Sequence, residues 1–482
     1  MSIIAILGLA TILRFVALTR YGDFWDDEMF NFMYSQKAWP EGLVYWLWET
    51  NPPLHLFILK IWLYIFPATE FFTRLPSVIT GVVTVWAIYI LGKTLFNKNT
   101  GLLVAFYLAI HPYHILWSAT ARIYVFLILL VTLSTYLFYK RFFQNNHQPS
   151  ISHTRWLSPF INLLLIFSHL TSLFFFAGQF IVLIGLKGRS VAWQWIEQNL
   201  VPFSIGGLWI IASFWIKIGN NLEDSWFLNM GHTLETYINP LLNLFVGQYS
   251  LFLGLALLVT ITIFIIISFY KEAKQNRNQL LILIILMLIP LLISATFDVW
   301  HIKFFLCVLP LFILIISHSL LTIFNKQKLA FSAILLVCAT GLFNLWKTLP
   351  LTDWSQIETY LKTKPVQTIF IYNNYNLKPQ IDRYLPDLAT SAIPLVIYEN
   401  LSWDDMIVKK NYIFKQITTE EKNIWYNNNE LSKYSSLVLL QGKYTYISKL
   451  DDTLTAQGWE LKQGPELATV SGDYYLYWYE KN

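Results

Sequence analysis

The sequence predicts a multi-pass α-helical membrane protein of about eleven transmembrane helices, followed by a small C-terminal α/β domain. Three observations support this fold class. Charged residues make up only 13% of the 482 residues, whereas soluble domains carry about 25%. Hydrophobic residues make up 55% of the chain. They are concentrated before Pro350 in runs near the length of about 20 residues that crosses a bilayer.

The first apolar run, Ser2 to Thr19, is expected to be a retained helix with Arg14 as its interior charge. It lacks the basic start and the small-residue cleavage site of a signal peptide. The later runs lie at 75–92, 101–118, 122–139, 157–169, 172–186, 200–218, 250–270, 279–297, 303–323 and 329–349. The segment 53–67 is also apolar, but it has only about 15 residues and contains Lys60, which predicts an interfacial or re-entrant helix.

Basic residues predict the orientation of these spans. They fall in alternate loops: Lys93, Lys98, Lys140, Arg141, Lys187, Arg189, Lys271, Lys274, Lys326 and Lys328. Such loops are cytoplasmic by the positive-inside rule. The prediction is a multi-pass cell-membrane protein with a cytoplasmic N-terminus and an extracytoplasmic C-terminal domain.

The chain divides by composition into a membrane domain, 1–349, and a soluble α/β domain, 350–482. Apolar spacing behind Asp353 predicts a helix over Asp353 to Thr363. The runs QTIFIY, SSLVLLQG and YYLYWYE predict β-strands.

The net charge of +5 is read as topology information, because nucleic-acid binding requires a clustered basic surface. Cys307 and Cys338 both lie in apolar runs, which offers neither a disulfide framework nor a cysteine metal site. No nucleic-acid partner is expected.

The first outer loop, 21–74, carries the most informative polar residues. It contains the consecutive acids Asp26, Asp27 and Glu28, and later Glu49. Its aromatic residues suit an interfacial belt or stacking on a sugar ring. They are Phe24, Trp25, Phe30, Phe32, Tyr34, Trp39, Tyr45, Trp46 and Trp48. A later outer loop adds Glu223, Asp224 and Glu235. These acids are either solvated charge or the site of carboxylate chemistry.

An ordered series of motifs resembles a known enzyme family. The motifs are DDEM at 26–29, NPPLHLF at 51–57, EFFTRLPS at 70–77, YILGKTLFN at 89–97, GLLVA at 101–105, SATARIY at 118–124, FSHL at 167–170 and DWSQIETYLK at 353–362. The series resembles the family-39-type, dolichyl-phosphate-mannose-protein mannosyltransferase-like glycosyltransferases of the GT-C superfamily. Lipid A aminoarabinose transferases are relatives of that family.

The resemblance implies a polyprenyl-phosphate-linked sugar donor, a lipid, protein or glycan acceptor, and inverting transfer at the outer face. The family's acid pair falls on Asp27 and Glu28, which makes Asp27 the expected general base and Glu28 a supporting acid. Asp26 offers an alternative register displaced by one residue.

The leaving lipid phosphate requires a cation. The candidates at outer helix ends are Arg74, Arg122 and Lys303, of which Arg122, followed by Tyr124, is preferred. Arg74 and Lys303 have the alternative of snorkelling to the interface.

Two histidines complete the predicted site. His169 matches a family motif and is expected to contact substrate or metal, or to be a packing residue. Glu49 with His55 or His169 has the chemistry of a divalent-metal site, but nothing fixes a ligand set, so no cofactor is assigned.

The sequence departs from the family at three positions. Thr120 stands where an acid is usual, Asn51 where Lys or His precedes Pro-Pro, and Lys303 where Arg-Tyr is usual. A lysine keeps the charge but lacks the planar fork of arginine.

Two other functions fit a membrane protein of this kind. A transporter or flippase of lipid-linked sugars would favour acids and broken helices near the membrane midplane. An O-antigen polymerase or ligase would carry its long outer loop late in the chain, whereas the long loop here is the first one and is acidic.

Overall fold

The computed structural model describes residues 1–49, 51–144, 152–217, 238–242, 244, 251–297, 300–349, 352–365, 368–372, 377–386, 393–394, 434–442, 454–455, 458–469 and 473–481. They form two compact units. The helical unit comprises Met1–Thr19 and the described residues from Tyr34 to Lys347. The second unit comprises Arg20–Met33 and the described residues from Thr348 on. The predicted outer-loop acids Glu223, Asp224 and Glu235 lie outside the described residues.

The helices up to residue 217 are α1 (Ile3–Arg20), α2 (Asp26–Gln36), α3 (Glu41–Trp48), α4 (Leu54–Ile65), α5 (Glu70–Leu95), α6 (Lys98–Ile110), α7 (Pro112–Ser118), α8 (Tyr124–Phe142), α9 (Ser152–Ile166), α10 (Ser172–Lys187), α11 (Arg189–Gln198) and α12 (Leu200–Lys217). The next are α13 (Leu251–Lys271), α14 (Lys274–Thr296), α15 (Ile302–Phe305), α16 (Leu309–Phe324) and α17 (Gln327–Thr348). Each predicted apolar run coincides largely with one of these helices or, for 101–118 and 303–323, with two consecutive ones.

Five helices among the described residues are long and apolar enough to cross a membrane: α1, α5, α8, most of α14, and α17. The pairs α6–α7 and α11–α12 each pass the same test together and are bent by 63°. Shorter apolar stretches of 10–17 residues lie in α4, α9, α10, α16 and the part Leu255–Lys271 of α13. The protein is therefore an integral membrane protein, and the number of eleven spans stays a prediction.

The region 21–74, predicted as a long outer loop, is largely helical. It contains α2, α3, α4 and the beginning of α5. The acids of Asp26–Glu28 form the first turn of α2, where negative side chains interact favourably with the helix dipole. The helix α4 coincides with the segment predicted as an interfacial or re-entrant helix, whereas α2 and α3 were not predicted.

The break between α6 and α7 is built around His111 and Pro112. Pro112 cannot donate the backbone hydrogen bond that would continue α6, and His111 Nδ1 accepts from the backbone N–H of His114 at 3.4 Å. The carbonyl groups at the end of α6 therefore need other donors.

Arg14 of α1, which is 0% exposed, supplies those donors. Its guanidinium donates to the carbonyl oxygens of Ala10 (3.0 Å), Leu108 (3.2 Å) and Ala109 (3.1 Å) and to Ser118 Oγ (3.2 Å), and it contacts His114 Nδ1. A guanidinium carries five N–H groups, and these five contacts give each of them an acceptor. Arg14 thereby joins α1 to both halves of the broken helix.

Glycines let α5 and α6 pack closely. A Cβ on Gly101 would lie 2.7 Å from the carbonyl oxygen of Tyr89, and one on Gly92 would lie 3.1 Å from the Cα of Gly101. Such small residues are typical of helix interfaces in membranes, where the backbones themselves are in contact.

The second unit contains a five-stranded sheet in the order β2-β1-β3-β5-β4. The strands are β1 (Thr368–Tyr372), β2 (Ile393–Pro394), β3 (Ser436–Gly442), β4 (Trp459–Thr469) and β5 (Asp473–Lys481). The first two pair in parallel with their neighbours, and β5 is antiparallel to β3 and β4. The predicted α/β character of the tail is confirmed.

Two helices, α18 (Ser355–Lys362) and α19 (Lys378–Tyr384), pack against this sheet. Their shared core consists of Trp354, Ile357, Phe370, Leu377, Ile381, Leu385, Val438, Leu440 and Leu476. Asp353 precedes α18 as predicted, and its Oδ1 accepts from the Ser355 N–H at 3.1 Å.

Candidate active site

The acidic turn at the start of α2 contains the predicted general base. Glu28 is fully buried, whereas Asp26 and Asp27 are partly exposed. Asp26 Oδ1 accepts a hydrogen bond from Gln380 Nε2 at 2.8 Å. Asp26 therefore has a protein partner, and the assignment of Asp27 as the base stays a prediction.

The predicted cation Arg122 forms an ion pair in the helical unit. Its Nη2 lies 4.0 Å from Glu49 Oε1, and the two side chains are 5% and 13% exposed. Asn51 Nδ2 donates weakly to the same Glu49 oxygen at 3.4 Å. The ion pair is largely shielded from solvent, and a guanidinium has the planar donor geometry that suits carboxylates and phosphates.

Arg122 is held in the short turn that joins α7 to α8. The backbone N–H of Arg122 donates to the carbonyl oxygen of Thr120 at 2.8 Å. The guanidinium carbon of Arg122 lies 5.9 Å from the centre of the Tyr124 ring. Trp117 packs on Tyr124 with ring centres 4.4 Å apart. Aromatic packing thus limits the orientations of the cation.

His169 lies between the ends of α9 and α10, next to Tyr124. The two rings are 5.9 Å apart, and the His169 ring is 5.8 Å from that of Phe304, the neighbour of Lys303. The turn is tied to α4 by a hydrogen bond from Leu54 N–H to the carbonyl oxygen of Phe167, 2.9 Å. These contacts bring together elements from four parts of the chain.

The hydrogen-bond pattern of His169 defines its tautomer. Its Nδ1 accepts from the Thr171 backbone N–H at 3.2 Å and is 2.9 Å from the Thr171 hydroxyl. In a neutral imidazole the other nitrogen then carries the hydrogen. His169 Nε2 is buried and has no hydrogen-bond partner in the described part of the chain, so this N–H is available to a ligand.

His55, near the start of α4, is 2% exposed. Its ring meets that of Phe126 edge-on at 5.6 Å. Burial, and then the charge of Arg122, lower the pKa of His55 from 6.5 to about 3. The imidazole is therefore neutral at physiological pH.

The remaining candidate cations occupy helix beginnings. Lys303 lies in the first turn of α15, where its backbone N–H donates to His301 Nδ1 at 3.2 Å. Arg74 is 1% exposed in α5. The prediction that these cations lie near helix ends agrees with their positions, and their roles stay predictions.

The contacts join Glu49, Arg122, Tyr124 and His169, and they reach Phe304, the neighbour of Lys303. The charge of Arg122 also acts on His55. Asp27 and Glu28 belong to the second unit. Thr171 and Phe304 were not predicted as site residues. Thr171 was detectable as a hydroxyl two residues after His169, the spacing of a local side-chain-to-backbone turn. Among the described residues, no three His, Cys, Asp or Glu side chains are placed to hold a metal.

Comparison with known proteins gives one family match. A family model described as dolichyl-phosphate-mannose-protein mannosyltransferase matches residues 50–157, which include Arg122, Tyr124, His55 and Arg74. No curated protein matches the chain.

The fold is shared with a protein of known structure. ArnT from Cupriavidus metallidurans in the apo state has a TM-score of 0.57 at 11% identity, over 99% of this chain and 97% of that one. The same protein bound to undecaprenyl phosphate gives the same values. The Archaeoglobus fulgidus oligosaccharyltransferase in the apo form has a TM-score of 0.49 at 13% identity, over 90% of this chain and 69% of that one. The resemblance stated from the motifs and the GT-C type of fold are confirmed.

Proposed function

We propose that the protein is a membrane glycosyltransferase that moves a hexose or pentose from a polyprenyl-phosphate donor to a lipid, protein or glycan acceptor on the extracytoplasmic face. The observation that carries the proposal is the buried Arg122, which is paired with Glu49 and shares the neighbouring ring of Tyr124 with His169, whose N–H is available. A fixed guanidinium and a neutral N–H donor suit a phosphate. The fold likeness to a protein solved with undecaprenyl phosphate supports the same ligand class.

In the proposed reaction, Asp27 takes the proton of an acceptor hydroxyl as general base. The acceptor oxygen attacks the anomeric carbon from the side opposite the phosphate and forms the new C–O bond. The bond between that carbon and the phosphate oxygen breaks, and its electron pair passes to the phosphate. A single displacement of this kind inverts the configuration.

The cations then stabilise the leaving group. Negative charge grows on the phosphate as the bond breaks, and a preorganised cation is most effective where charge develops. Arg122 has this role in the proposal, with Lys303 and Arg74 as further cations and His169 as a neutral donor. Glu49 orients Arg122, and Tyr124 offers a ring face to Arg122 or to the sugar.

The test uses purified protein in nanodiscs with a panel of undecaprenyl-phosphate-linked sugars. Release of undecaprenyl phosphate is measured, and the anomeric configuration of the product is read by NMR. Asp27→Asn should lower turnover by about 10²-fold or more, within the range for loss of a general base, and should leave binding of undecaprenyl phosphate intact.

Asp26→Asn is the matched control, because Asn keeps an oxygen that can accept from Gln380. It should lose much less activity. Loss of activity in Asp26→Asn with survival in Asp27→Asn would move the base by one residue, and survival of both would overturn the carboxylate mechanism. Transfer of intact donor across the bilayer without release of undecaprenyl phosphate would indicate a flippase instead.

A further inference from the structure

We propose that the C-terminal residues act as a positioning device for the acidic turn of α2, with Gln380 as the residue that sets the turn through Asp26. The inference rests on the proposed function, in which this turn supplies the base. It gives the C-terminal residues a role in catalysis.

The first contact lies just before the turn. Asp23 N–H donates to the Thr352 carbonyl oxygen at 3.0 Å, and Thr352 Oγ1 donates back to the Asp23 carbonyl oxygen at 2.9 Å. The Asp23 carboxylate accepts from the Trp354 backbone N–H at 2.8 Å. Gly22, at φ 91°, completes a short parallel bridge with Thr352. The chain is therefore fixed in direction as it enters α2.

The second contact comes from α19. Phe24 N–H donates to the Tyr384 hydroxyl at 2.9 Å. The Arg383 guanidinium lies 5.3 Å from the Phe24 ring and 4.7 Å from the Phe32 ring. Cation–π contacts of this kind contribute when they are shielded from water. The same helix thus holds α2 on both sides of the acids.

The third contact is the decisive one. Gln380, also on α19, is 0% exposed, and its Nε2 donates to Asp26 Oδ1 at 2.8 Å. Only the amide nitrogen can face a carboxylate, so this pair fixes the orientation of the Gln380 amide. Its Oε1 has no hydrogen-bond partner among the described residues. Burying an amide oxygen without a hydrogen-bond partner costs free energy. This indicates that the hydrogen bond from Gln380 Nε2 to Asp26 stabilises the fold by more than the unsatisfied Oε1 destabilises it.

The consequence for the reaction is geometric. Asp26 and Asp27 are adjacent in the first helical turn, so a bond that fixes Asp26 also fixes the direction of Asp27. A base misplaced by about 1 Å can lose about 10²-fold in rate. Gln380 would then affect turnover without touching the donor.

The test compares Gln380→Met, which keeps the length of the side chain and removes its donor, with the matched control Gln356→Met. Gln356 is an exposed glutamine of the same unit whose Nε2 also donates to an aspartate, Asp353, at 3.3 Å. Hydrogen exchange of peptides covering 20–33 is measured first, because it needs no activity. Gln380→Met should exchange about tenfold faster there, as loss of a hydrogen bond to a charged group implies, and Gln356→Met should match the wild type.

Turnover is measured second, with the donor from the panel that the wild type uses. Gln380→Met should lower kcat with an unchanged KM for the donor, and the effect should disappear on an Asp26→Ala background if Gln380 acts through Asp26. If Gln380→Met does not fold, the same measurements are made on Tyr384→Phe, which removes the hydroxyl that accepts a hydrogen bond from Phe24.

Unchanged exchange in 20–33 would overturn the inference. Faster exchange with wild-type kcat, in a protein that Asp27→Asn inactivates, would also overturn it while leaving the proposed function in place. An Asp27→Asn protein that keeps full turnover would instead remove the proposed base.

Discussion

Arg14 provides the sharpest test of the membrane fold, because its guanidinium donates to both halves of the broken helix α6–α7. Arg14→Met keeps most of the apolar volume and removes all of its hydrogen bonds to Ala10, Leu108, Ala109, His114 and Ser118. Hydrogen bonds in membrane proteins average about 0.6 kcal/mol each, so loss of about five predicts a decrease of about 3 kcal/mol in the free energy of unfolding. Arg14→Lys keeps three donors in a different geometry, so its free energy of unfolding should lie between those of the wild type and of Arg14→Met.

The assay is unfolding in mixed micelles by titration with SDS, followed by tryptophan fluorescence. Thr11→Val is the matched control on the same helix, because the Thr11 hydroxyl donates once, to the Leu7 carbonyl oxygen at 2.8 Å. It should cost about 0.6 kcal/mol or less. Gly81→Ala is a second probe, since its Cβ would lie 2.3 Å from Ser118 Oγ and 2.9 Å from Arg14 Nε. An Arg14→Met protein as stable as Thr11→Val would refute the reasoning.

Three further outcomes are expected. Arg122→Ala should weaken binding of undecaprenyl phosphate, measured by native mass spectrometry, more than Lys303→Ala does, since a buried cation contributes more than a partly exposed one; equal losses would contradict the assignment. A Cys at Ser435 should react in intact cells with a maleimide that cannot cross membranes, and labelling only after lysis would reverse the predicted topology. Because burial and Arg122 lower the pKa of His55 to about 3, the unfolded chain takes up a proton below about pH 6.5 that the folded one does not, so wild-type stability should fall between pH 7 and 5. His55→Gln should lose that part of the fall, and identical pH dependences would argue against a neutral buried His55.

Hydropathy alone predicted where the membrane helices lie, because burial in lipid requires long apolar runs whatever their tertiary contacts. It missed the bend at His111, since Pro112 interrupts hydrogen bonding without interrupting the apolar run. It also missed β4, whose edge position tolerates the charges of Glu460 and Lys462 and the Gly464-Pro465 pair. The strands β1, β3 and β5 were predictable because they are continuous apolar or aromatic runs.

The site residues were predicted singly, from residue type and from the resemblance. The pairing of Glu49 with Arg122 was not, because the two residues are far apart in the sequence and meet only through tertiary packing. The bond between Asp26 and Gln380 was hidden for the same reason. The helical state of the acidic turn is a local feature that helix-start rules could have found, since three acids open α2.

The division of the second unit between distant parts of the chain affects how the protein is made. The ribosome synthesises Asp23 and Asp26 among the first residues, but their partners Trp354 and Gln380 follow 331 and 354 positions later. Contacts of such high sequence separation form late and slowly. A chain that stops before residue 350 can insert its apolar helices, yet it leaves the acidic turn without these partners. The enzyme we propose would therefore be inactive during translation and become active only when its C-terminal segment has been synthesised and has folded.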